Sequence, residues 1–154
     1  MLASGAKALE LISFDVGGQS FCMSIASVRE IRGWTKATPV PLAPDFILGV
    51  INLRGCVMPV VDLQHLLGLG QADVGARSVI IVIDHDGQTS GLLVDAVQDT
   101  LTVDSAALQP IPAMVDTREA LAEAVLPHGN RLLTLLAAER LTSCCQANAR
   151  QLVA

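Results

Sequence analysis

Apolar and polar positions alternate along this chain in short bursts, and the bursts come in pairs. "ALELISFDV" alternates with period two, "GG" turns it, and "QSFCMSI" returns in the same manner. That predicts a β-hairpin, because glycine supplies the positive φ that tight turns need. "SVREIR" follows and fits either a strand or a short turn of helix. "ATPVPLAPD" holds three prolines and predicts an irregular connection. "FILGVINL" and "CVMPVVDL" read as two buried strands around "RG". "DLQHLLG" predicts a short helix, with Asp62 as N-cap and Gly68 as stop. "RSVIIVID" reads as a strongly buried strand, "HDG" as a hairpin turn and "QTSGLLV" as the return. "DAVQDTLTV" then takes the place that "SVREIRGW" has after the first hairpin. A loose stretch, "QPIPAMVDTREALAEA", leads into the strand pair "VLPHGNRLLTLL". The end, "AAERLTSCCQANARQLVA", has a helical pattern.

The order of these bursts repeats. "DVGGQSFCMSIASVREI" (15–31) lies over "DHDGQTSGLLVDAVQDT" (84–100) without a gap. Asp15/Asp84, Gly18/Gly87, Gln19/Gln88 and Val28/Val97 are identical in the two copies. Ser20/Thr89, Met23/Leu92, Ile25/Val94 and Glu30/Asp99 are similar. A search for such self-similarity decides the architecture early. Each half has about five short strands, too few to bury a convincing core alone. The fold class expected is therefore mainly β: two small five-stranded β-barrels packed together, with short helices and a C-terminal helix. The joint between them is a natural groove.

Composition supports a packed domain. Of the 154 residues, 51% are hydrophobic and 16% charged, a balance that excludes a disordered chain. Aromatic residues make up 3%, so the core must be built from aliphatics and there are few platforms for stacking bases. The net charge of −5, with basic residues scattered singly, gives no electrostatic reason to bind nucleic acid or an anionic membrane. The start carries no secretory pattern, and the longest apolar runs fall far short of a membrane span. A cytoplasmic location without membrane insertion is the expectation. The cysteines, Cys22, Cys56, Cys144 and Cys145, form no C-x-x-C pair; they read as reduced thiols, two in core strands and two in the tail.

Catalytic chemistry is hard to find. His65, His85 and His128 have no metal-ligand spacing to one another or to cysteine, and no nucleotide or nucleophile motif is present. No catalytic residue, metal or cofactor is expected. The one anomaly is Arg54, set between the apolar runs "GVINL" and "CVMPVV". It is either a solvent-facing turn residue or a partly buried arginine held by a carboxylate, because an unpaired buried guanidinium costs several kcal/mol. Glu30 and Asp62 are the candidate partners.

"SVREIRG" (27–33), "PDFILGVINLRGCVMPVVDL" (44–63), "GLLVDAVQDTL" (91–101) and "IPAMV" followed by "GNRLLTLL" (129–136) closely resemble the chemotaxis coupling protein family, CheW. The N-L-R-G, P-V-x-D-L and G-x-x-V-D-x-V elements, in that order, carry the resemblance from about Leu9 to Leu141. It implies one CheW-like domain over 9–141, made of two SH3-like barrel subdomains (roughly 15–75 and 77–136, exchange of strands allowed). A tail, 1–8, precedes it and a helical tail, 142–154, follows. It also implies a non-enzymatic adaptor that joins the histidine kinase CheA, through the kinase's regulatory domain, to the cytoplasmic tips of chemoreceptors. Recruitment to membrane-bound receptor arrays and ring assemblies with the kinase belong to that picture. Residues matching family positions are Val28, Glu30, Gly49, Arg54, Gly91 and Val97. The resemblance gives Val28, Gly91 and Val97 apolar receptor contacts, sets Glu30 and Arg54 as a pair nearby, and has the glycines permit close approach. A same-fold coupling protein of a non-swimming pathway shares all these features. A small-molecule-binding β-barrel is the alternative from another class, and it needs further polar groups in the groove.

Overall fold

In a computed structural model, residues 7–70, 72, 74–75, 77–111 and 121–142 are described. They form ten strands: β1 (Ala8–Val16), β2 (Gln19–Ser24), β3 (Val28–Gly33), β4 (Ile47–Leu53), β5 (Cys56–Asp62), β6 (Val79–His85), β7 (Gln88–Val94), β8 (Ala96–Asp104), β9 (Ala122–His128) and β10 (Arg131–Leu136). One short helix, α1 (Leu63–Leu66), follows β5, and a helical turn covers 138–142. The ambiguous "SVREIR" is a strand. Cys144, Cys145 and the rest of the tail beyond 142, together with all of "PAMVDTREA" (112–120), lie outside the described residues.

The strands make two five-stranded sheets, ordered β8-β1-β2-β10-β9 and β3-β6-β7-β5-β4. Strands are exchanged between the halves of the chain: the first hairpin joins the last three strands, and the second hairpin joins β3, β4 and β5. Moving each strand five places on converts one order into the other, so the repeat in the sequence is a pseudo-twofold relation between the sheets. The pairing senses agree as well. The hairpins β1–β2 and β6–β7 are antiparallel, and β2 and β7 each take a parallel neighbour, β10 and β5. Even the irregularities correspond, since β3 slips by one residue against β6 between Val28 and Glu30, and β8 slips against β1 opposite Ile12 and Phe14. Hydrogen bonding leaves β8 and β9 outermost in one sheet and β3 and β4 in the other.

Period-two alternation then divides the apolar side chains among three cores. From β1 and β2, Ile12, Phe14, Phe21 and Met23 point to a central core shared with Ile81, Ile83, Leu92 and Val94 of β6 and β7. Their sequence neighbours point the other way. Leu11 and Cys22 pack with Leu126, Leu133 and Leu135 inside the first sheet. Ile80, Val82 and Leu93 pack with Met58 and Val60 inside the second. Both faces of the hairpins are thus buried, which is why "VIIVI" and "GLLV" are apolar without a break. Burying a Phe, Leu or Ile stabilises by roughly 1.5–3 kcal/mol each, so a central core of this size ties the sheets together.

Candidate interaction site

The β4–β5 hairpin turns on two residues, with Leu53 opposite Cys56. Both turn residues have positive φ, +55° at Arg54 and +86° at Gly55, the conformation of the tight turns that favour Asn-Gly. Asn52 Oδ1 accepts a hydrogen bond from the Gly55 N–H at 2.9 Å, which helps to fix the turn. An arginine pays about 1 kcal/mol to sit there. Its side chain is 74% exposed and reaches back to β3, where Nη2 donates to Glu30 Oε2 at 3.2 Å. Arg32 approaches the same carboxylate at 3.9 Å. Glu30 is 24% exposed, but the guanidinium stands mostly in solvent, and a pair screened in that way contributes only about 0–1 kcal/mol, about what the turn costs. Stability therefore does not explain why an arginine occupies this turn.

Asp62 is not its partner. That side chain is buried and caps α1, with Oδ1 accepting from the His65 N–H at 3.2 Å and Oδ2 from the Ala72 N–H at 3.0 Å.

The other named residues divide into two kinds. Val28 and Val97 occupy equivalent places on β3 and β8, opposite Ile83 and Phe14. Each is half-buried against the central core, so each combines a packing role with an accessible face. Gly49 and Gly91 are buried. A Cβ on Gly49, whose φ is +149°, would lie 2.3 Å from the carbonyl oxygen of Thr38. The missing side chain thus makes room for the protein's own strand, since Thr38 bridges to Val50. A Cβ on Gly91 would lie 2.9 Å from Ile80 Cγ2. The close approaches at these two glycines are internal.

Sequence reasoning passed over Arg29. Its guanidinium lies 3.9 Å from Asp84 and 3.5 Å from the Thr89 hydroxyl. The signal was available: Asp84 and Thr89 both stand in the repeat. Their counterparts, Asp15 and Ser20, form a tighter cluster. Asp15 accepts from Ser20 Oγ at 3.2 Å, Gln98 Nε2 at 2.5 Å and Arg131 Nη2 at 2.9 Å. Arg131 also donates to Ser20 Oγ. Cys56, expected in a core strand, is exposed, whereas Cys22 is buried. The reason is that β5 turns inward only from Met58 onward.

No group of three His, Cys, Asp or Glu side chains among the described residues is placed to hold a metal. No helix among them is long and apolar enough to cross a membrane. A larger open cavity, about 810 Å³, is floored by Leu9, Leu11 and Ile25 and rimmed by Glu10, Glu123 and Glu139; none of the six named residues is among its described lining.

Comparison with known proteins agrees with this architecture. The chain is 48% identical over 141 residues to a probable chemotaxis protein CheW of Rhizobium etli, covering 91% of each chain. It is 50% identical over 128 residues to chemotaxis protein CheW of Rhizobium meliloti, covering 82% of this chain and 83% of that one. Among solved structures, the scaffolding protein TtCheW of Thermoanaerobacter tengcongensis superposes with a TM-score of 0.78 at 28% identity, over 85% of both chains. The profile of the CheW-like domain matches residues 10–144, and the chain belongs to that family.

Proposed function

We propose that this protein is a non-enzymatic coupling scaffold of a chemosensory pathway, acting in the cytoplasm, that binds a CheA-type histidine kinase and the cytoplasmic tips of chemoreceptors. Its family membership supports the pathway, and its relatives are named as chemotaxis and scaffolding proteins. The observation that carries the site is Arg54, an exposed arginine in a costly turn conformation, tied to Glu30 by a pair too weak to account for it. A planar guanidinium held in one orientation is suited to protein recognition. Val28, on the same strand as Glu30, and Val97, its counterpart, supply half-buried apolar surface for a helical hairpin lying in a groove.

Such a scaffold does no chemistry. It passes a receptor's change of state to the kinase through contacts that differ in strength between states. The test is co-sedimentation of the purified protein with receptor-bearing membranes and kinase. Arg54→Ala and Val28→Asp are expected to weaken retention about tenfold or more, with Arg54→Ala melting as wild type does. Wild-type protein retained by neither partner would sink the proposal, and variants that fold and are retained as well as wild type would remove the site assignment.

A further inference from the structure

The pseudo-twofold relation pairs residues that sequence alignment cannot pair. Val60 lies opposite Gly91, and Leu135 lies opposite Cys22. Gly91 and Cys22 are equivalent in the repeat, so Val60 and Leu135 are equivalent too. Counting back along β5 and β10 makes Cys56 the counterpart of Arg131. The two copies of one local cluster can now be compared. In the first sheet Arg131 comes from the last hairpin, fills the space beside Asp15 and Ser20, and shares Asp15 with Gln98. In the second sheet the arginine has moved: the hairpin supplies the short Cys56, and Arg29 stands where Gln98 stands in the other. A depression of about 60 Å³ remains, lined by Arg29, Leu53, Arg54, Cys56, Met58 and Thr89.

That lining has two guanidinium groups and, among the described residues, no carboxylate. Glu30 and Asp84 touch these arginines from outside it, at 3.2 Å and 3.9 Å. Each guanidinium carries five N–H donors, so one carboxylate apiece leaves donors to spare. The space is a few water molecules in size, which suits a carboxylate and excludes a helix or a nucleotide. Leu53 and Met58 give it an apolar wall, where a charged hydrogen bond is stronger than in open water.

We propose that this depression is a carboxylate-binding subsite that takes an Asp or Glu side chain of the receptor tip, held between Arg29 and Arg54. The inference deepens the coupling reading above and rests on it. Arg29 is the informative position, because glutamine at the equivalent place in the other sheet shows that Arg29→Gln fits the backbone.

The experiment measures binding of a soluble receptor-tip fragment to the full-length protein by calorimetry, at low and moderate salt. Arg29→Gln is expected to raise Kd about tenfold and Arg29→Glu further, both with unchanged melting temperature and with a shallower salt dependence for the glutamine variant. A panel of receptor fragments, each with one acidic residue reversed to Lys, is then tested against Arg29→Glu; one of them is expected to restore binding. Unchanged affinity of both Arg29 variants, or rescue by no member of the panel, overturns the subsite while leaving the coupling function standing. Failure of the wild-type protein to bind the fragment overturns both.

Discussion

Arg54 sits in a backbone conformation that suits asparagine or glycine, and the cost and the gain at this residue nearly cancel. Arg54→Asn is therefore expected to leave the melting temperature unchanged or slightly raised while binding weakens as it does in Arg54→Ala. A fall of more than a few degrees would mean that the Glu30 pair is a structural element. The glycines separate in the opposite sense. At Gly49 a methyl group meets backbone that cannot yield, at a φ that side chains avoid, so Gly49→Ala should cost about 3 kcal/mol or more. At Gly91 it meets the Cγ2 methyl of the buried Ile80 side chain rather than backbone, and Gly91→Ala should cost about 1–3 kcal/mol. Denaturant titration orders the two. The sequence narrowed Arg54's partner to Glu30 or Asp62 because both are carboxylates at nearby element ends. It could not choose between them, since only the fold shows that Asp62 has spent both oxygens on backbone N–H groups. Arg29 was passed over although Asp84 and Thr89 stand in the repeat, because the pairing itself spans 55 positions of the chain.

At the scale of the element, the inward face of β2 makes a prediction about pH. Cys22 has no exposed surface, and burial pushes its thiol up from 9.0 to about 12. Below pH 9 the thiol is protonated in both folded and unfolded chains and costs nothing. Above pH 9 the unfolded chain loses that proton first, so stability should decline as pH rises from 9 towards 12. The sequence has no tyrosine, which keeps phenol ionisation out of that window. Melting curves of wild type and Cys22→Ala across it check the point, and equal slopes would refute it. In a background lacking Cys144 and Cys145, a thiol reagent should label Cys56 rapidly in the native state and Cys22 only after unfolding. The strands themselves were readable wherever both faces or one whole face were apolar. β3 was not, because an edge strand with Arg29, Glu30 and Arg32 on it offers a pattern that a helical turn satisfies equally well. The exposure of Cys56 was missed because "CVMPVV" is apolar throughout, although the strand's first two residues stand clear of the core.

For the whole molecule, the central core is the decisive feature. It draws on both hairpins, so neither sheet can lose it alone. Phe14→Ala should destabilise by about 3–5 kcal/mol and lower hydrogen-exchange protection equally in β2 and in β7, with a single unfolding transition. Protection lost from the first sheet only would show that the sheets are separate folding units. The repeat announced two equivalent sheets, yet the exchange of strands between them was not legible. Equivalence fixes which strands correspond, and it is silent on which copy pairs with which. That choice is made by the three-dimensional path of the connections after each hairpin.

The exchange also sets an order of events during synthesis. Every strand of the second sheet has been made once Val94 leaves the ribosome, whereas the first sheet waits for Leu136. β8 can join the opening hairpin once Asp104 is made, but until Leu136 follows the hairpin has no complete β10 beside it, and the apolar face of Leu11 and Cys22 lacks the cover of Leu126, Leu133 and Leu135. The end of the chain that is made first is thus among the last to be finished, and a nascent chain stalled between these two points carries an open strand edge for a chaperone, or for another copy of itself, to seize.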